Sequence, residues 1–354
     1  MSRVGLVIFA FAFVFLAPAL SLAQDYNMSV KAEQVLLAKT VFGPEVTPAD
    51  MKGRVTLLYY WGVDCPDCLN LMPKIAKYNE ELAPFGLLTI APHAQISTPE
   101  NMKAKAKARG ANFSVVEQAA NTQIKGKAAM DFNQIPHCIL YDEKGKCIYR
   151  GLPEKLELPL RQTMGKLLAG KFEEEPAKPL VPLIDSLKKG QPPAGVLQKL
   201  VALTKSSDST VAEQAKDAIT KLTVVAEKMA VEMEAQKTSD PVAAYTRALK
   251  FSVDFKGTAP GTKAAEVVAE LKKDKVVVED TKARPVLEKI RATDEELTKA
   301  LGIDDPKGKA FHKAQASALK QLQSEIKAMK KSWPDAPSTK EALEIADKYG
   351  LPLK

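Results

Sequence analysis

Residues that bind metals are scarce in this sequence, which has four cysteines and three histidines. A structural zinc site takes four such ligands, commonly as two closely spaced pairs. Cys65 and Cys68 form one pair at Cys-x-x-Cys spacing, but the remaining candidates form no second pair: Cys138, Cys147, His93, His137 and His312. We therefore expect no metal and no other cofactor, and a structural metal is kept only as an alternative explanation of the cysteine pair.

The sequence also lacks the interleaving of basic and aromatic residues that is typical of nucleic-acid-binding surfaces. Its 51 basic and 43 acidic residues give a net charge of +8, but the lysines alternate with alanine, glutamate and leucine along helical stretches. This pattern indicates solvated helix surfaces, so no nucleic-acid partner is expected. With 45% apolar residues the chain can bury a full core, and its 354 residues favour two domains.

The first 23 residues have the pattern of a targeting segment. Arg3 supplies a positive end, an unbroken apolar core follows, and Ser21-Leu22-Ala23 is a small-residue cleavage site. We predict a signal peptide over residues 1–23 and a periplasmic or secreted mature protein, in which a disulfide can persist. The alternative is an uncleaved anchor, because the uncharged stretch nearly reaches the roughly 20 residues of a membrane span. No cysteine follows the segment to accept a lipid.

The Cys-x-x-Cys pair lies where an apolar strand is followed by a helix. Residues 54–61 are apolar, β-branched and aromatic, which predicts a strand buried on both faces. Apolar residues then recur at helical spacing over residues 69–82, so the two cysteines fall in the first turn of a helix. Unpaired N–H groups and the positive end of the helix dipole favour a thiolate at Cys65, and Cys68 is close enough to form a disulfide with it. An inert structural disulfide is the alternative.

Around this motif, residues 38–168 resemble the thioredoxin family, and more closely its periplasmic TlpA-type branch. Pro73 follows Cys65 by eight residues, where thioredoxins carry the proline that bends the active-site helix. Ile135-Pro136 stands before an apolar strand and a turn, as the family's cis-proline does. The pair Tyr60-Trp61 matches the aromatic residues ahead of the motif, whereas Tyr59 replaces the buried aspartate that assists proton transfer in thioredoxin.

The resemblance implies an α/β thioredoxin-like domain with a central mixed sheet flanked by helices. It implies that Cys65 is the exposed nucleophile and Cys68 the resolving thiol. It also implies that Trp61, Ile135 and Pro136 bind substrate. A cis peptide before Pro136 would turn the Ile135 backbone outward, where its N–H and C=O groups could pair with an extended substrate segment.

Four further residues are candidates for proton transfer or for tuning the thiols. Asp64 stands where most relatives have tryptophan, and its carboxylate and that of Asp67 oppose a thiolate. His93 ends the second predicted strand, at the sheet edge where sites form in open α/β folds. It either exchanges protons near Cys68 or lies in a solvated loop. His137 is either a polar wall of the site or a plain strand residue.

The rest of this region has a regular pattern. We predict a helix that starts at Thr98 and stops at Gly110, a strand over residues 113–116, a helix over 119–129 and a last helix over 156–170. Pairing the hairpin places Tyr141 opposite Cys147 and Cys138 opposite Arg150. Cys138 and Cys147 are then too far apart for a disulfide, so both are predicted to be buried thiols.

The composition changes after residue 170. Residues 171–193 are acidic and then proline-rich, which predicts a stiff, exposed linker. Residues 194–354 have apolar residues at spacings of three and four, which predicts helices over 196–203, 211–233, 242–251, 263–271, 286–301, 316–329 and 341–349. Two segments resemble each other, each with an aromatic helix end, a proline turn and a threonine N-cap, Thr262 or Thr339. They are similar to tetratricopeptide-like units, which present a concave face to a protein partner. An irregular helical bundle is the alternative.

The sequence thus predicts a thiol-disulfide oxidoreductase, with residues 24–170 as the thioredoxin-like domain and residues 194–354 as an all-α C-terminal domain. The resemblance favours a reductase, because TlpA-type proteins mostly reduce. Expected partners are protein disulfides, a redox partner protein and a protein on the helical domain, with a membrane only if residues 1–23 stay attached. The rival hypothesis is a scaffold whose thioredoxin-like domain is redox-inactive. A thiol peroxidase is disfavoured, because Gly62 stands where peroxiredoxin-type sites carry threonine.

Overall fold

The computed structural model describes residues 30–118, 123–124, 134–301 and 305–353. Its strands are β1 (Val35–Leu36), β2 (Thr40–Phe42), β3 (Val55–Tyr60), β4 (Leu87–His93), β5 (Ser114–Gln118), β6 (Gln123–Ile124), β7 (His137–Tyr141) and β8 (Cys147–Gly151). Its helices in the first half are α1 (Pro66–Leu82), α2 (Pro99–Ala108), α3 (Glu157–Ala169), α4 (Val181–Lys188), α5 (Pro193–Leu203) and α6 (Ser209–Ser239). They are followed by α7 (Pro241–Asp254), α8 (Ala259–Leu271), α9 (Lys275–Leu301), α10 (Lys309–Ala314), α11 (Ala316–Ser332) and α12 (Pro337–Lys348).

Six strands form one mixed sheet in the order β2-β5-β4-β3-β7-β8, while β1 and β6 pair separately. The central strand β3 runs parallel to β4 and antiparallel to β7, so Leu57 lies opposite both Thr89 and Leu140. All six residues of β3 are buried, as expected for a strand covered on both faces. The predicted class is confirmed: a thioredoxin-like α/β region is followed by a mostly helical one.

Alternate residues of β3 face two different cores. Leu57 and Tyr59 pack in one cluster with apolar residues of α1, α2 and α3. Leu58 and Tyr60 pack on the other face of the sheet, where Val35 and other residues of the N-terminal segment cover them. The alternation follows from the two-residue period of a strand, and it places the side chain after Tyr60, that of Trp61, on the helical face.

The core on the helical face does not end at the predicted boundary near residue 170. It continues through α4 to α8, with Leu183, Leu200, Leu222 and Val267 among its members. A separate core joins α9, α11 and α12. The domain boundary stays a prediction, because hydrophobic packing is continuous across it.

The interpretation of residues 171–193 as an exposed linker is wrong for its central part. Residues 178–180 form a short 3-10 helix that leads into α4. Four residues at the spacing of one helix face are buried there: Leu180, Leu183, Ile184 and Leu187. Pro179 and Pro182 occupy first helical turns, where a missing N–H is tolerated. Proline content alone therefore did not separate a linker from a short packed helix.

Most other predicted elements lie where the sequence placed them, including β5, α2 with Thr98 as its N-cap, α3 and the predicted C-terminal helices. The helix predicted over residues 119–129 falls mostly outside the described residues, and within it Gln123–Ile124 form a strand. The threonine N-caps are wrong. Thr258 caps α8 and Ala336 precedes α12, whereas Thr262 and Thr339 lie inside those helices.

The hairpin of β7 and β8 pairs nearly as predicted. Tyr141 lies opposite Cys147, but Cys138 lies opposite Gly151 instead of Arg150, because the register shifts between Leu140 and Tyr141. Both cysteines are buried thiols, as predicted. Across the described ranges, no helix combines the length and apolarity that a membrane span requires. The predicted signal peptide over residues 1–23 lies outside those ranges.

Candidate functional site

Cys65 and Cys68 form a disulfide at the start of α1, with their Cα atoms 5.3 Å apart. Cys65 is the N-cap of the helix, and its Sγ accepts the backbone N–H of Cys68 at 3.1 Å. Pro66 occupies the first turn, where the absence of an N–H costs nothing. The sulfur of Cys65 therefore lies at the positive end of the helix dipole, where a thiolate is stabilised.

The two sulfur atoms differ in their access to solvent. Cys65 is 9% exposed, whereas Cys68 is fully buried. The Tyr59 hydroxyl anchors the backbone at Cys68 by donating a hydrogen bond to the Cys68 carbonyl at 2.6 Å. Burial raises the pKa of Tyr59, so this hydroxyl keeps its proton. This difference in exposure is what the predicted roles require, with Cys65 as the nucleophile and Cys68 as the resolving thiol.

The segment Ile135-Pro136 lies against the disulfide. The peptide bond between these residues is cis, as expected from the sequence. Cys65 Sγ is 3.8 Å from the Ile135 carbonyl oxygen. Ile135 is half-buried and Pro136 buried, so the backbone of Ile135 borders the exposed edge of Cys65.

Trp61 does not lie on the substrate side, in contrast to the prediction. Its side chain is fully buried, and its Nε1 donates to the Ala91 carbonyl at 3.3 Å. It extends the alternation of β3, in which the odd-numbered residues face the helical core. The Trp61 ring packs edge-on against His93, with ring centroids 5.1 Å apart, and so supports the site from inside.

His93 is buried at the end of β4, so the interpretation of a solvated loop histidine is wrong. Its Nε2 accepts the backbone N–H of Val63 at 3.1 Å. Burial lowers the pKa of His93, which favours the neutral ring that this bond requires. Proton exchange with Cys68 stays a prediction, and one of the two ring nitrogens, Nε2, is already engaged as an acceptor.

His137 is a strand residue and does not form a wall of the site. It is the first residue of β7 and lies opposite Tyr60, on the face of the sheet turned away from α1. It is fully buried, and burial lowers its pKa to about 4. Asp64 and Asp67, in contrast, are exposed and flank Cys65 on the solvent side, as a tuning role would require.

Sequence reasoning missed Gln95. Its Oε1 accepts the backbone N–H of Asp64 at 2.9 Å, and its side chain lies across Gly62. A Cβ at Gly62 would approach that oxygen to 2.2 Å, so a side chain there would displace Gln95 from its present position. The one signal in the sequence was the position of Gln95 two residues after His93, beyond the carboxyl end of a predicted strand. Within the described ranges, no group of three or more histidine, cysteine, aspartate or glutamate residues is arranged to hold a metal ion.

Solved structures similar to this chain are thioredoxin-like thiol-disulfide oxidoreductases, which align with its N-terminal region. A thioredoxin-type protein from Neisseria meningitidis is 26% identical, with a TM-score of 0.33, over 39% of this chain and 90% of that chain. A thiol-disulfide isomerase from Corynebacterium glutamicum is 21% identical, with a TM-score of 0.33, over 40% of this chain and 96% of that chain. A secreted disulfide oxidoreductase from Mycobacterium tuberculosis is 17% identical, with a TM-score of 0.27, over 33% of this chain and 81% of that chain. No protein-family model and no curated protein matches the sequence.

Proposed function

We propose that this chain is a thiol-disulfide oxidoreductase that acts on protein disulfides outside the cytoplasm. One observation carries the proposal: the Cys65–Cys68 disulfide lies at the N-terminus of α1, with Cys65 Sγ 3.8 Å from the Ile135 carbonyl oxygen. The sulfur that we propose as the nucleophile thus has a backbone acceptor beside it, which supports the proposal. A substrate segment that donates an N–H to that carbonyl would bring its own disulfide next to Cys65.

The reaction follows from the roles of the two sulfurs. In the reduced protein, the Cys65 thiolate attacks one substrate sulfur, the substrate S–S bond breaks, and the other substrate sulfur leaves as a thiolate. The Cys68 thiolate then attacks Cys65 Sγ, which releases the second substrate sulfur and closes the Cys65–Cys68 disulfide. Two electrons have passed to the substrate. A dithiol reductant returns the pair to its reduced form by the same exchange.

The direction and the compartment are part of the proposal. The TlpA-type resemblance of residues 38–168 supports a reductase. The charge pattern of residues 1–23 supports export, and an exported chain meets the compartments in which thiol-disulfide exchange is needed. Residues 24–170 would carry the reaction. The helices of residues 194–354 would then provide a surface for a protein partner.

The experiment is turnover of a model disulfide with dithiothreitol as the electron donor. It compares the wild type with Cys65→Ser and Cys68→Ser. Cys147→Ala is the control, because Cys147 is a buried thiol on the far face of the sheet. We expect Cys65→Ser to abolish turnover, Cys68→Ser to accumulate a mixed disulfide visible by mass, and the control to keep its activity.

Full activity of Cys65→Ser would contradict the assigned roles. A wild type with no turnover, together with a disulfide potential below about −300 mV, would favour the rival hypothesis of a redox-inactive scaffold.

A further inference from the structure

Two side chains at the end of β4 hold the loop that leads to Cys65. His93 Nε2 accepts the N–H of Val63 at 3.1 Å, and Gln95 Oε1 accepts the N–H of Asp64 at 2.9 Å. These two amides are consecutive, and they directly precede Cys65. Both backbone donors ahead of the nucleophile are therefore paired with side chains of the neighbouring strand and its loop.

The surroundings make both acceptors rigid. The ends of the two strands are joined by backbone bonds, from Trp61 N to Pro92 O at 3.2 Å and from Ala94 N to Trp61 O at 2.7 Å. The edge-on Trp61 ring fixes the imidazole of His93. The missing side chain at Gly62 makes room for Gln95. The loop can move only if one of these contacts breaks.

We propose that His93 and Gln95 are positioning residues: by accepting these two hydrogen bonds, they hold residues 62–64 so that Cys65 Sγ stays beside the Ile135 carbonyl. This inference rests on the proposed function. It differs from a proton-transfer role, because His93 Nε2 is used as an acceptor from the backbone. The bond requires a neutral ring, since an imidazolium has no lone pair at Nε2. Protonation of His93 would therefore release the loop.

The burial of the His93 ring and the groups around it set the pH at which protonation releases the loop. Burial lowers the pKa of His93, whereas a hydrogen bond with the Gln95 backbone and the Asp64 carboxylate act in the opposite direction. Lys105 of α2 interacts with Asp64 in turn. Among the described residues, Asp64 is the charged group that acts on the imidazole. At neutral pH the ring is uncharged and the bond to Val63 is intact; acidification breaks it.

The test uses the full chain in its reduced form. It compares the wild type with His93→Gln, which keeps an acceptor that does not titrate, His93→Leu, which has no acceptor, and Gln95→Ala. The matched control is His312→Gln, because His312 lies in the C-terminal helices and contacts the Tyr349 carbonyl. Two quantities are measured from about pH 4.5 to about pH 8: the exchange protection of the Val63 and Asp64 amides, and disulfide turnover divided by the Cys65 thiolate fraction from alkylation rates.

In the wild type, we expect corrected turnover and Val63 protection to fall together on acidification. His93→Gln keeps turnover at neutral pH and loses the acid step. His93→Leu loses Val63 protection and is about tenfold slower at every pH, because the Val63 N–H is left unpaired. Gln95→Ala loses Asp64 protection and slows turnover a few-fold, about threefold. Asp64→Asn moves the acid step to lower pH, because the carboxylate that favours the imidazolium is gone.

Unchanged turnover and protection in His93→Leu beside an active wild type would overturn the inference. If His93→Leu does not fold, unchanged values in Gln95→Ala and an acid step that persists in His93→Gln would do the same. A wild type that turns over no disulfide, although its amide protection responds as expected, would overturn the proposed function and leave the hydrogen-bond assignment standing.

Discussion

The Phe255 ring stacks on the Phe85 ring, with centroids 5.1 Å apart. Phe85 follows α1 in the α/β region, whereas Phe255 follows α7 in the helical region and also stacks on Phe251 at 4.5 Å. Phe255 is almost completely buried and belongs to the same core as the strand residues of β3. The first helices of the C-terminal region therefore complete a core that begins in the sheet.

Truncation of Phe255 should destabilise both regions at once. We expect Phe255→Ala to lower the free energy of unfolding by about 3–4 kcal/mol, because it removes a buried ring and leaves a cavity. Val253→Ala in α7, the helix that Phe255 follows, is the control. Val253 is 68% exposed, so its effect should stay within about 0.5 kcal/mol. Urea unfolding followed by fluorescence and by circular dichroism measures both. A cost below about 1 kcal/mol would show that the stack does not join the two regions.

Gly165 of α3 packs closely against the backbone of α4 at Leu187. A Cβ there would lie 1.8 Å from the Leu187 carbonyl oxygen, so Gly165→Ala must push α4 away from α3. We expect a loss of about 2–3 kcal/mol in the free energy of unfolding. Gly195→Ala in α5 is the matched control, because a Cβ there meets nothing within 4 Å, and it should be neutral or stabilising by up to about 1 kcal/mol. Equal effects of the two substitutions would instead support the sequence-based prediction that residues 171–193, which include α4, are an exposed linker.

The cysteine pair could be predicted because its signals are local. The spacing of Cys65 and Cys68, and their place between a strand and a helix, already determine that two sulfurs meet at a helix N-terminus. The approach of Ile135 could not be derived from spacing, and it was predicted only through resemblance to a family.

Gln95 and Trp61 show why the rest could not be predicted. The bond from Asp64 to Gln95 joins residues 31 positions apart and depends on the register between β3 and β4. The core that Trp61 packs into depends on which face of β3 the helices cover, and an uninterrupted apolar run does not reveal that. The packing of α4 was missed for a related reason, because prolines at helix starts and prolines in linkers look alike in sequence.

Lys105 of α2 forms an ion pair with Glu295 of α9, which ties the last helices to the α/β region. Burial and the cations Lys299 and Arg109 lower the pKa of Lys105 to about 8. The ion pair with the Glu295 carboxylate favours its charged form. We expect Glu295→Gln to destabilise the protein by about 1–2 kcal/mol near neutral pH, because the pair is only partly exposed. The loss should shrink as the pH rises and Lys105 gives up its proton.

Exposed Glu296→Gln is the control, and urea unfolding at two pH values is the measurement. A loss that is the same at both pH values would contradict this account.

His137 should make the fold sensitive to acid. Burial lowers the pKa of His137 to about 4, below the roughly 6.5 of an unfolded histidine. The unfolded chain then binds more protons between these values, so stability is lost as the pH falls from about 6.5 to about 4. Over this pH range, we expect the free energy of unfolding of His137→Gln to fall by about 2–3 kcal/mol less than that of the wild type. His312→Gln should keep the acid loss of the wild type. Identical pH profiles for the wild type and His137→Gln would contradict the prediction.

Tyr59 stands where thioredoxin-type proteins carry a buried aspartate, but its geometry supports a different task. Its hydroxyl donates to the Cys68 carbonyl at 2.6 Å, and burial raises the pKa of Tyr59, so it neither gains nor loses a proton while the protein is folded. We therefore expect Tyr59→Phe to lower the free energy of unfolding by about 1 kcal/mol.

Turnover distinguishes this task from proton transfer. Tyr59→Phe should keep disulfide turnover within about threefold of the wild type and leave its pH profile unmoved, because only a backbone anchor is lost. Tyr78→Phe is the control, since the Tyr78 hydroxyl donates a hydrogen bond to Glu157 of α3 and not to the Cys68 carbonyl. A loss of turnover above about tenfold, or a shifted pH profile, would show that Tyr59 takes part in moving the Cys68 proton. A residue that only donates a hydrogen bond to a backbone carbonyl would not change the pH at which a thiol ionises.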